Sequence, residues 1–165
     1  PQFILKTAKV LHINCNLTKY SRLLNNSMPK YCVRQALRLI QPKKIRNSTI
    51  TLLGLAFRGG VSDTRLSPTY DVIKELQKLK VKEIRIHDPL VKKDDFISNY
   101  INTFLFNELS EAIKGADLIM VIADHEEYKK LNYESLKNIA LYDGRGIINR
   151  DNIILDKYSS IGNIQ

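Results

Sequence analysis

The stretch from Thr49 to Thr69, TITLLGLAFRGGVSDTRLSPT, constrains the fold more than any other part of the chain. It opens with the apolar run Ile50–Leu53, which is typical of a buried parallel strand. A loop follows, and Ser67-Pro68 then indicates a helix start. The glycines and arginines of the loop are Gly54, Arg58, Gly59, Gly60 and Arg65. A strand, a basic glycine-rich loop and a helix in this order predict an anion site at the carboxyl end of a strand in an α/β protein.

Two common phosphate-binding motifs do not account for this loop. The Gly-x-Gly-x-x-Gly pattern of dinucleotide-binding turns is not met, and Gly60-Val61 stands where a P-loop needs Lys followed by Ser or Thr. An ordinary turn between a strand and a helix remains an alternative. Arg58 and Arg65 in one loop favour anion binding, because a guanidinium group can pair with two phosphate oxygens at once.

From Thr49 onward, predicted strands alternate with predicted helices. The predicted strands are Thr49–Leu53, Glu83–His87, Thr103–Phe106, Asp117–Ala123 and Ala140–Tyr142. The predicted helices start at Ser67-Pro68, with Val72, Ile73, Leu76 and Leu79 as the apolar face, at Ser110 (to Lys114) and at Asn132 (to about Ile139). This alternation predicts an α/β fold, a Rossmann-like parallel sheet with helices on both faces.

A helical segment precedes this sheet. Apolar residues at helical spacing predict one helix within Pro1–Leu11 and another over Thr18–Ile40, with a loop at His12–Leu17. Val33, Ala36, Leu37 and Ile40 form the apolar stripe of the second helix. Pro29 predicts a kink there, or a cap before a further helix. Two helices this thin cannot form a core alone, so we expect them to pack on the next domain or on another chain.

The polar stretch Pro42–Ser48 marks the predicted domain boundary. We therefore expect a helical segment over residues 1–42 and a Rossmann-like domain over residues 43–165. A chain that begins with Pro-Gln instead of Met is interpreted as a segment of something longer.

The formal net charge of +9 favours an anionic partner. The lysines are dispersed, with short clusters only at Lys43-Lys44, Lys92-Lys93 and Lys129-Lys130, so a dedicated nucleic-acid arm is not expected. A lysine-rich solvated surface accounts for the same charge. A basic Rossmann-like module that binds nucleic acid or a protein partner remains the alternative function.

The remaining bulk features predict a cytoplasmic protein without a membrane segment. No apolar run approaches the roughly 20 residues of a membrane span. The two cysteines, Cys15 and Cys32, do not form a disulfide framework, and Cys32 is expected in the core. His12 and Cys15 lack two further ligands nearby, so no metal site is predicted.

A second basic loop, Asp143-Gly144-Arg145-Gly146, follows the last predicted strand. It is either a plain turn or a ligand loop, and its place at a strand end favours a ligand role for Arg145. Arg58 and Arg145 would then converge from separate strand ends, which suits a diphosphate.

Two acidic positions near these loops have simpler interpretations. Asp63 is expected to pair with Arg65 or Arg58 and to set only the shape of the loop. Asp124-His125 follows a central strand, where a ligand contact is one interpretation, and we favour a helix cap.

Taken together, these motifs resemble the carboxyl-terminal domain of the UDP-glucose/GDP-mannose dehydrogenase family. The matching residues are Gly54-Leu55-Ala56-Phe57-Arg58, Asp63-Thr64-Arg65, Ser67-Pro68, Asp88-Pro89 and Asp143-Gly144-Arg145. Asn26-Ser27-Met28-Pro29 resembles a motif of the family's central dimerisation helices. The resemblance covers essentially the whole chain, and it is closest to archaeal or bacterial UDP-N-acetylmannosamine-type 6-dehydrogenases.

The resemblance implies a role for four site residues. Phe57 and Arg58 match the pair that contacts the substrate, and Arg145 matches an arginine that contacts the nucleotide sugar. Arg65 matches an arginine that reaches the NAD cofactor. Two positions depart from the family pattern, since Arg58 stands in place of lysine and Leu66 in place of a frequent glutamate.

Enzymes of this family oxidise the C6 alcohol of a UDP-sugar to a carboxylate, with NAD and a thioester on a cysteine. The resemblance places their NAD-binding domain and catalytic cysteine before Pro1, and Cys15 does not match that cysteine motif, so no catalytic residue is assigned. The chain is thus expected to be the UDP-sugar-binding and dimerisation portion of such an enzyme, inactive alone and dimeric through residues 18–40. The identity of the sugar is not implied.

Overall fold

Five α-helices and six strands make up the part of the chain that the structure, a computed structural model, describes: residues 2–41, 45–136, 138–149 and 157–162. The helices are α1 (Gln2–Val10), α2 (Asn16–Arg38), α3 (Thr69–Lys78), α4 (Leu109–Ile113) and α5 (Glu126–Lys129). The strands are β1 (Thr49–Leu53), β2 (Glu83–His87), β3 (Thr103–Phe106), β4 (Leu118–Val121), β5 (Ala140–Asp143) and β6 (Tyr158–Ser160). Short 3₁₀ turns lie at Ile45–Asn47, Ile97–Asn99 and Tyr133–Leu136.

The six strands form one parallel sheet with the order β3-β2-β1-β4-β5-β6. This is the strand order of a doubly wound nucleotide-binding fold. At the carboxyl edge, Leu53 of β1 pairs with both His87 of β2 and Val121 of β4. The first three strands have the bounds predicted from the sequence. The predicted Rossmann-like parallel sheet is therefore confirmed.

Helices cover both faces of the sheet. Successive side chains of each strand point to opposite faces, so one strand contributes to two cores. Ile50 and Leu52 of β1 are fully buried in a core shared with α2 and α3. Leu53 is fully buried in a second core, which includes Tyr128 of α5. Each such leucine stabilises the fold by about 2 kcal/mol relative to an exposed one. The continuous apolar run of β1 is thus explained by burial on both faces.

The helix α2 runs unbroken through Pro29, so the alternative of a cap before a further helix was wrong. The hydrogen bond that Pro29 cannot donate would have gone to the carbonyl of Asn25. One face of the half of α2 that begins at Pro29 is buried, and the predicted stripe lies in the core. Packing against α3 and the sheet therefore outweighs the local cost of the proline. The predicted loop is also shorter, since α2 begins at Asn16.

The helix α3 begins close to its predicted start. Pro68 has helical dihedral angles, and the hydroxyl of Ser67 accepts a hydrogen bond from the backbone N–H of Thr69 at 3.2 Å. The prediction for Leu79 was wrong, because this side chain is exposed. The helix ends at the preceding residue, so Leu79 no longer belongs to its buried face.

The helix predicted from Asn132 is only the 3₁₀ turn Tyr133–Leu136. Both terminal side chains of this turn are buried, and a spacing of three residues suits a 3₁₀ turn better than an α-helix. The predicted boundary at Pro42–Ser48 falls in part on residues 42–44, which lie outside the described residues, as do residues 153–155 of the tail. Among the described helices, none has the length and apolar character needed to cross a bilayer.

Candidate functional site

The loops after β1 and β4 meet at the carboxyl edge of the sheet, where the strand order reverses direction. A β-carbon at Gly54 would lie 2.3 Å from the β-carbon of Ala123. A β-carbon at Gly59 would lie 2.3 Å from the carbonyl oxygen of Asp124. The two loops are thus in direct contact at the crevice in which dinucleotide-binding sheets hold a pyrophosphate.

Four backbone N–H groups of the loop after β1 donate hydrogen bonds to side chains that directly follow β2 and β4. The pairs are Leu55 to Asp88 Oδ2 (2.8 Å), Ala56 to Asp88 Oδ2 (2.9 Å), Gly59 to Asp124 Oδ1 (2.9 Å) and Gly60 to His125 Nδ1 (3.4 Å). A phosphate nest needs such groups to be free. These four N–H groups are therefore not available to a bound anion.

Asp88 and His125 form a buried pair beneath the loop. His125 Nε2 lies 3.2 Å from Asp88 Oδ2, and the two side chains are almost completely inaccessible to solvent. Burial opposes the charge on Asp88, but hydrogen bonds from His125 and from three backbone N–H groups outweigh it. The pKa of Asp88 is consequently lower than the usual value of an aspartate.

The buried side chain of Asp143 holds the second basic loop together through hydrogen bonds to its backbone. Its carboxylate is fully buried and accepts the backbone N–H groups of Arg145 (2.9 Å), Gly146 (2.7 Å) and Ile148 (2.9 Å). The segment is therefore a turn organised by its own aspartate. The same turn directs the Arg145 side chain toward the loops after β1 and β4.

Asp124 joins these three loops. Its Oδ1 accepts the backbone N–H of Gly59 and also lies 3.2 Å from Nη2 of Arg145. The Gly59 hydrogen bond and the nearby Arg145 guanidinium lower the pKa of Asp124, against a smaller opposing effect of burial. His125 occupies the N-cap position of α5, as the favoured interpretation of Asp124-His125 as a helix cap predicts, but its side chain makes no capping hydrogen bond. The Asp124 side chain contacts the neighbouring loops instead.

Phe57 and Arg58 project from the loop after β1. The guanidinium carbon of Arg58 lies 5.6 Å from the centroid of the Phe57 ring, within the range of a cation–π interaction. Both side chains are exposed. Arg58 precedes Gly59, which shares Asp124 with Arg145. The structure therefore links the predicted substrate residues of the two loops through one carboxylate.

Arg65 faces a different surface. Its Nε and Nη2 donate to the two carboxylate oxygens of Asp63 at 2.9 and 2.7 Å. These hydrogen bonds lower the pKa of Asp63 to about 2. Of the two partners predicted for Asp63, Arg65 is thus the one observed. Leu66 follows with a φ of +57° and a fully exposed side chain, an unusual conformation for leucine.

Arg145 and Arg65 line two different cavities. The cavity beside Arg145 has a volume of about 350 Å³ and lies between α2, α3 and the ends of β4 and β5. The cavity beside Arg65 has a volume of about 860 Å³ and includes three aromatic rings, Tyr70, Phe96 and Tyr100. Arg22 of α2 lines both cavities. Arg145 therefore lines the smaller cavity and Arg65 the larger one, whereas Phe57 and Arg58 line neither of the two.

Two polar residues of this region, Arg22 and Asp124, were not predicted as part of a site. Arg22 lies three and four residues before Asn25 and Asn26, so the three share one face of α2 and line the smaller cavity. That spacing is a signal that sequence reasoning could have used. Asp124 gave only an ambiguous signal. Within the described residues, no group of three or more His, Cys, Asp and Glu side chains is placed to hold a metal ion.

The strand order and the carboxyl-edge loops define a doubly wound domain of the nucleotide-binding class. A sequence model described as "UDP-glucose/GDP-mannose dehydrogenase family, UDP binding domain" matches residues 51–151, more than half of the chain. The chain therefore belongs to the UDP-glucose/GDP-mannose dehydrogenase family, and the predicted family is confirmed.

Individual similar proteins have names that agree with this family. A UDP-N-acetyl-D-mannosamine dehydrogenase of Methanocaldococcus jannaschii is 34% identical over 158 residues, which cover 92% of this chain and 33% of the relative. The solved structure of a UDP-D-ManNAc dehydrogenase from Pyrococcus horikoshii has a TM-score of 0.75 at 29% identity, and the match covers 90% of this chain and 34% of that one. For a UDP-glucose dehydrogenase of Pyrobaculum islandicum, the TM-score is 0.80 at 18% identity, over 94% of this chain and 34% of that one, which supports the fold alone. The chain thus spans about a third of the length of these relatives.

Proposed function

We propose that this chain is the UDP-sugar-binding portion of an NAD-dependent UDP-sugar 6-dehydrogenase, which oxidises a C6 alcohol to a carboxylate. The observation that carries this proposal is the match of residues 51–151 to a UDP-binding domain. The site would lie at the carboxyl ends of β1, β4 and β5. Phe57, Arg58 and Arg145 would be its substrate-binding residues.

The side chains suit a diphosphate better than the loop backbone does. Arg145 donates to Asp124 through Nη2 at 3.2 Å, and a guanidinium has further N–H groups on its other nitrogens. Arg58 is exposed and lies against Phe57, which limits the conformations that its guanidinium can adopt. Two restrained arginines, one from each loop that flanks the loop after β4, would neutralise the two phosphates of UDP with little loss of side-chain entropy.

The loop after β1 does not carry the Gly-x-Gly-x-x-Gly pattern of a dinucleotide-binding turn. We therefore place NAD and the catalytic cysteine in the two thirds of the relatives that this chain does not match. Arg65 would be the contribution of this chain to the cofactor, since 83% of its side chain is exposed. When bound, NAD would accept the hydride from the sugar alcohol.

We also propose a division into a helical segment, residues 1–42, and a UDP-binding domain, residues 43–165. Dimerisation through residues 18–40 needs one adjustment, because one face of the second half of α2 is buried in this chain's own core. The large exposed apolar side chains of the helical segment are Phe3, Ile4, Val10, Leu11, Ile13, Leu17, Tyr20, Leu23, Leu24 and Tyr31. Most of the proposed dimer surface therefore lies on α1 and the first half of α2. A cytoplasmic location accords with two free cysteines.

Calorimetric titration of the chain with UDP, uridine and ADP tests the proposed function. We expect UDP to bind and uridine to bind far more weakly, because uridine lacks the diphosphate that Arg58 and Arg145 would contact. ADP should bind more weakly than UDP if the base is recognised. The absence of UDP binding, together with salt-dependent retention on DNA, would instead support the basic nucleic-acid-binding module.

A further inference from the structure

Asp124 is the residue at which the three candidate ligand loops meet. It follows β4, it accepts the backbone N–H of Gly59 from the loop after β1, and it pairs with Arg145 from the loop after β5. Gly59 is held against it so closely that a β-carbon there would overlap the Asp124 carbonyl. A carboxylate thus occupies the position between an N–H group and a guanidinium that a bound anion would otherwise take.

The contact with Asp124 restrains only one part of the Arg145 guanidinium. Nη2 is the donor, and 37% of the Arg145 side chain remains exposed. The cavity beside Arg145 is also lined by Arg22 and by Gly144, which has no side chain to obstruct it. An arginine held at one nitrogen can present its others to a ligand in a fixed direction.

We propose that Asp124 is a positioning residue of the UDP site, which orients Arg145 and fixes the Arg58-Gly59 turn without touching the ligand. This inference rests on the proposed function. It adds Asp124, which follows β4, the strand between β1 and β5 in the sheet. The diphosphate-binding surface would then consist of Arg58 and Arg145, with Asp124 holding both loops in position.

A competing effect has the opposite sign. A carboxylate near a diphosphate repels it, so removal of Asp124 would raise affinity if repulsion dominated. Asp124 is 41% exposed, where water screens repulsion, and its charge is already offset by Gly59 N–H and Arg145. We therefore expect positioning to dominate.

The test compares Asp124→Ala and Asp124→Asn by UDP calorimetry on the whole chain. Asparagine keeps an acceptor oxygen for Gly59 and Arg145, whereas alanine removes it. We expect D124A to weaken UDP binding about tenfold and D124N by less than about threefold, in line with the loss of hydrogen bonds to a charged group. The control is Glu126→Gln, which removes the same charge two residues away, where Glu126 pairs with Lys129 on the surface.

The double variant D124A/R145A separates positioning from general destabilisation. If Asp124 acts mainly through Arg145, D124A should change UDP affinity less than about twofold once Arg145 is absent. Full additivity, or a rise in affinity for both D124A and D124N, would overturn the inference. Failure of the unaltered chain to bind UDP would overturn the proposed function instead, and the positioning role with it.

A readout that needs no ligand completes the test. Hydrogen exchange of the Gly59 amide should accelerate at least about tenfold in D124A and remain close to the original rate in D124N and E126Q. Unchanged exchange in D124A would show that Asp124 does not hold the turn, and would overturn the inference whatever the UDP titrations give.

Discussion

His125 Nε2 lies 3.2 Å from Asp88 Oδ2, in a buried pair that anchors the loop after β1 from below. Because His125 Nδ1 accepts the N–H of Gly60, the network assigns the ring proton to Nε2, which donates it to Asp88. Asp88 in turn accepts the N–H groups of Leu55 and Ala56. The residues that follow β2 and β4 therefore hold the part of the loop after β1 that runs from Leu55 to Gly60.

The substitution Asp88→Asn should destabilise the fold by about 2 to 4 kcal/mol, since it directs an amide donor at groups that are themselves donors in a buried site. Denaturant unfolding at pH 7 measures this difference. The control is Asp95→Asn, because 85% of the Asp95 side chain is exposed and its charge pairs only with Lys93. We expect D95N to change stability by less than about 0.5 kcal/mol. Equal effects of the two substitutions would contradict the structural role of Asp88.

The same carboxylate should make stability depend on pH in the acid range. The pKa of Asp88 is lower in the folded chain than the usual value near 3.9, so the unfolded chain binds a proton more readily. The contribution of Asp88 is therefore fully present above about pH 5 and is lost as the pH falls through 4 toward the folded pKa. Unfolding free energies of the original chain and D88N, measured from pH 7 to pH 3, should converge at low pH. A constant difference over that range would exclude this linkage.

The central sheet was predictable because buried parallel strands leave continuous apolar runs. Thr49–Leu53 illustrates this, since its predicted and observed bounds agree. Two other features depend on tertiary contacts that no local pattern records. The edge strand Tyr158–Ser160 is short and only half-buried, and its pairing with β5 defines it. Pro29 lies inside a helix because the second half of α2 packs on the sheet and on α3.

The candidate site was predictable only in its arginines. Arg145 follows a strand in an Asp-Gly turn, so both its position and its charge are visible in the sequence. Asp124 bonds to Gly59 across 65 residues of chain, and such a partner cannot be inferred from either local sequence. The intrinsic preference of aspartate for helix starts favoured a cap, whereas the Asp124 side chain contacts Gly59 and Arg145.

The adjacent glycines Gly59 and Gly60 should respond differently to alanine. A β-carbon at Gly59 would overlap the Asp124 backbone, so G59A must separate two loops and should cost about 3 kcal/mol or more. Gly60 has open space around it but a φ of +74°, so G60A should cost only about 1 to 2 kcal/mol from backbone strain. Thermal unfolding of both variants measures the difference. A larger loss in G60A would mean that the loops are not in contact.

The exposed apolar stripe of α2 predicts a dimer. Leu17, Tyr20 and Leu24 are 82%, 64% and 66% exposed and lie at helical spacing. Replacement of both leucines by glutamate should raise the dimer dissociation constant at least about a hundredfold, because it removes buried apolar area and adds charge. Sedimentation velocity at micromolar concentration provides the measurement. Leu79→Glu is the matched control, since Leu79 is exposed elsewhere. A monomeric original chain would contradict the prediction.

The two proposed phosphate-binding arginines should tolerate lysine differently. Alanine at Arg58 or at Arg145 removes a charged donor and should weaken UDP binding by about 10- to 100-fold. Lysine at position 58 should retain affinity within about threefold, because Arg58 is exposed and contacts only the Phe57 ring among the described interactions. Lysine at position 145 should not, because a single ammonium cannot hold Asp124 and a phosphate in the geometry of a guanidinium. Calorimetry with UDP decides the matter, with Arg38→Ala as the control, since Arg38 is an exposed arginine that donates to Gln35 near the end of α2. Equal losses in R58K and R145K would show that charge alone, and not the arrangement around Asp124, determines binding.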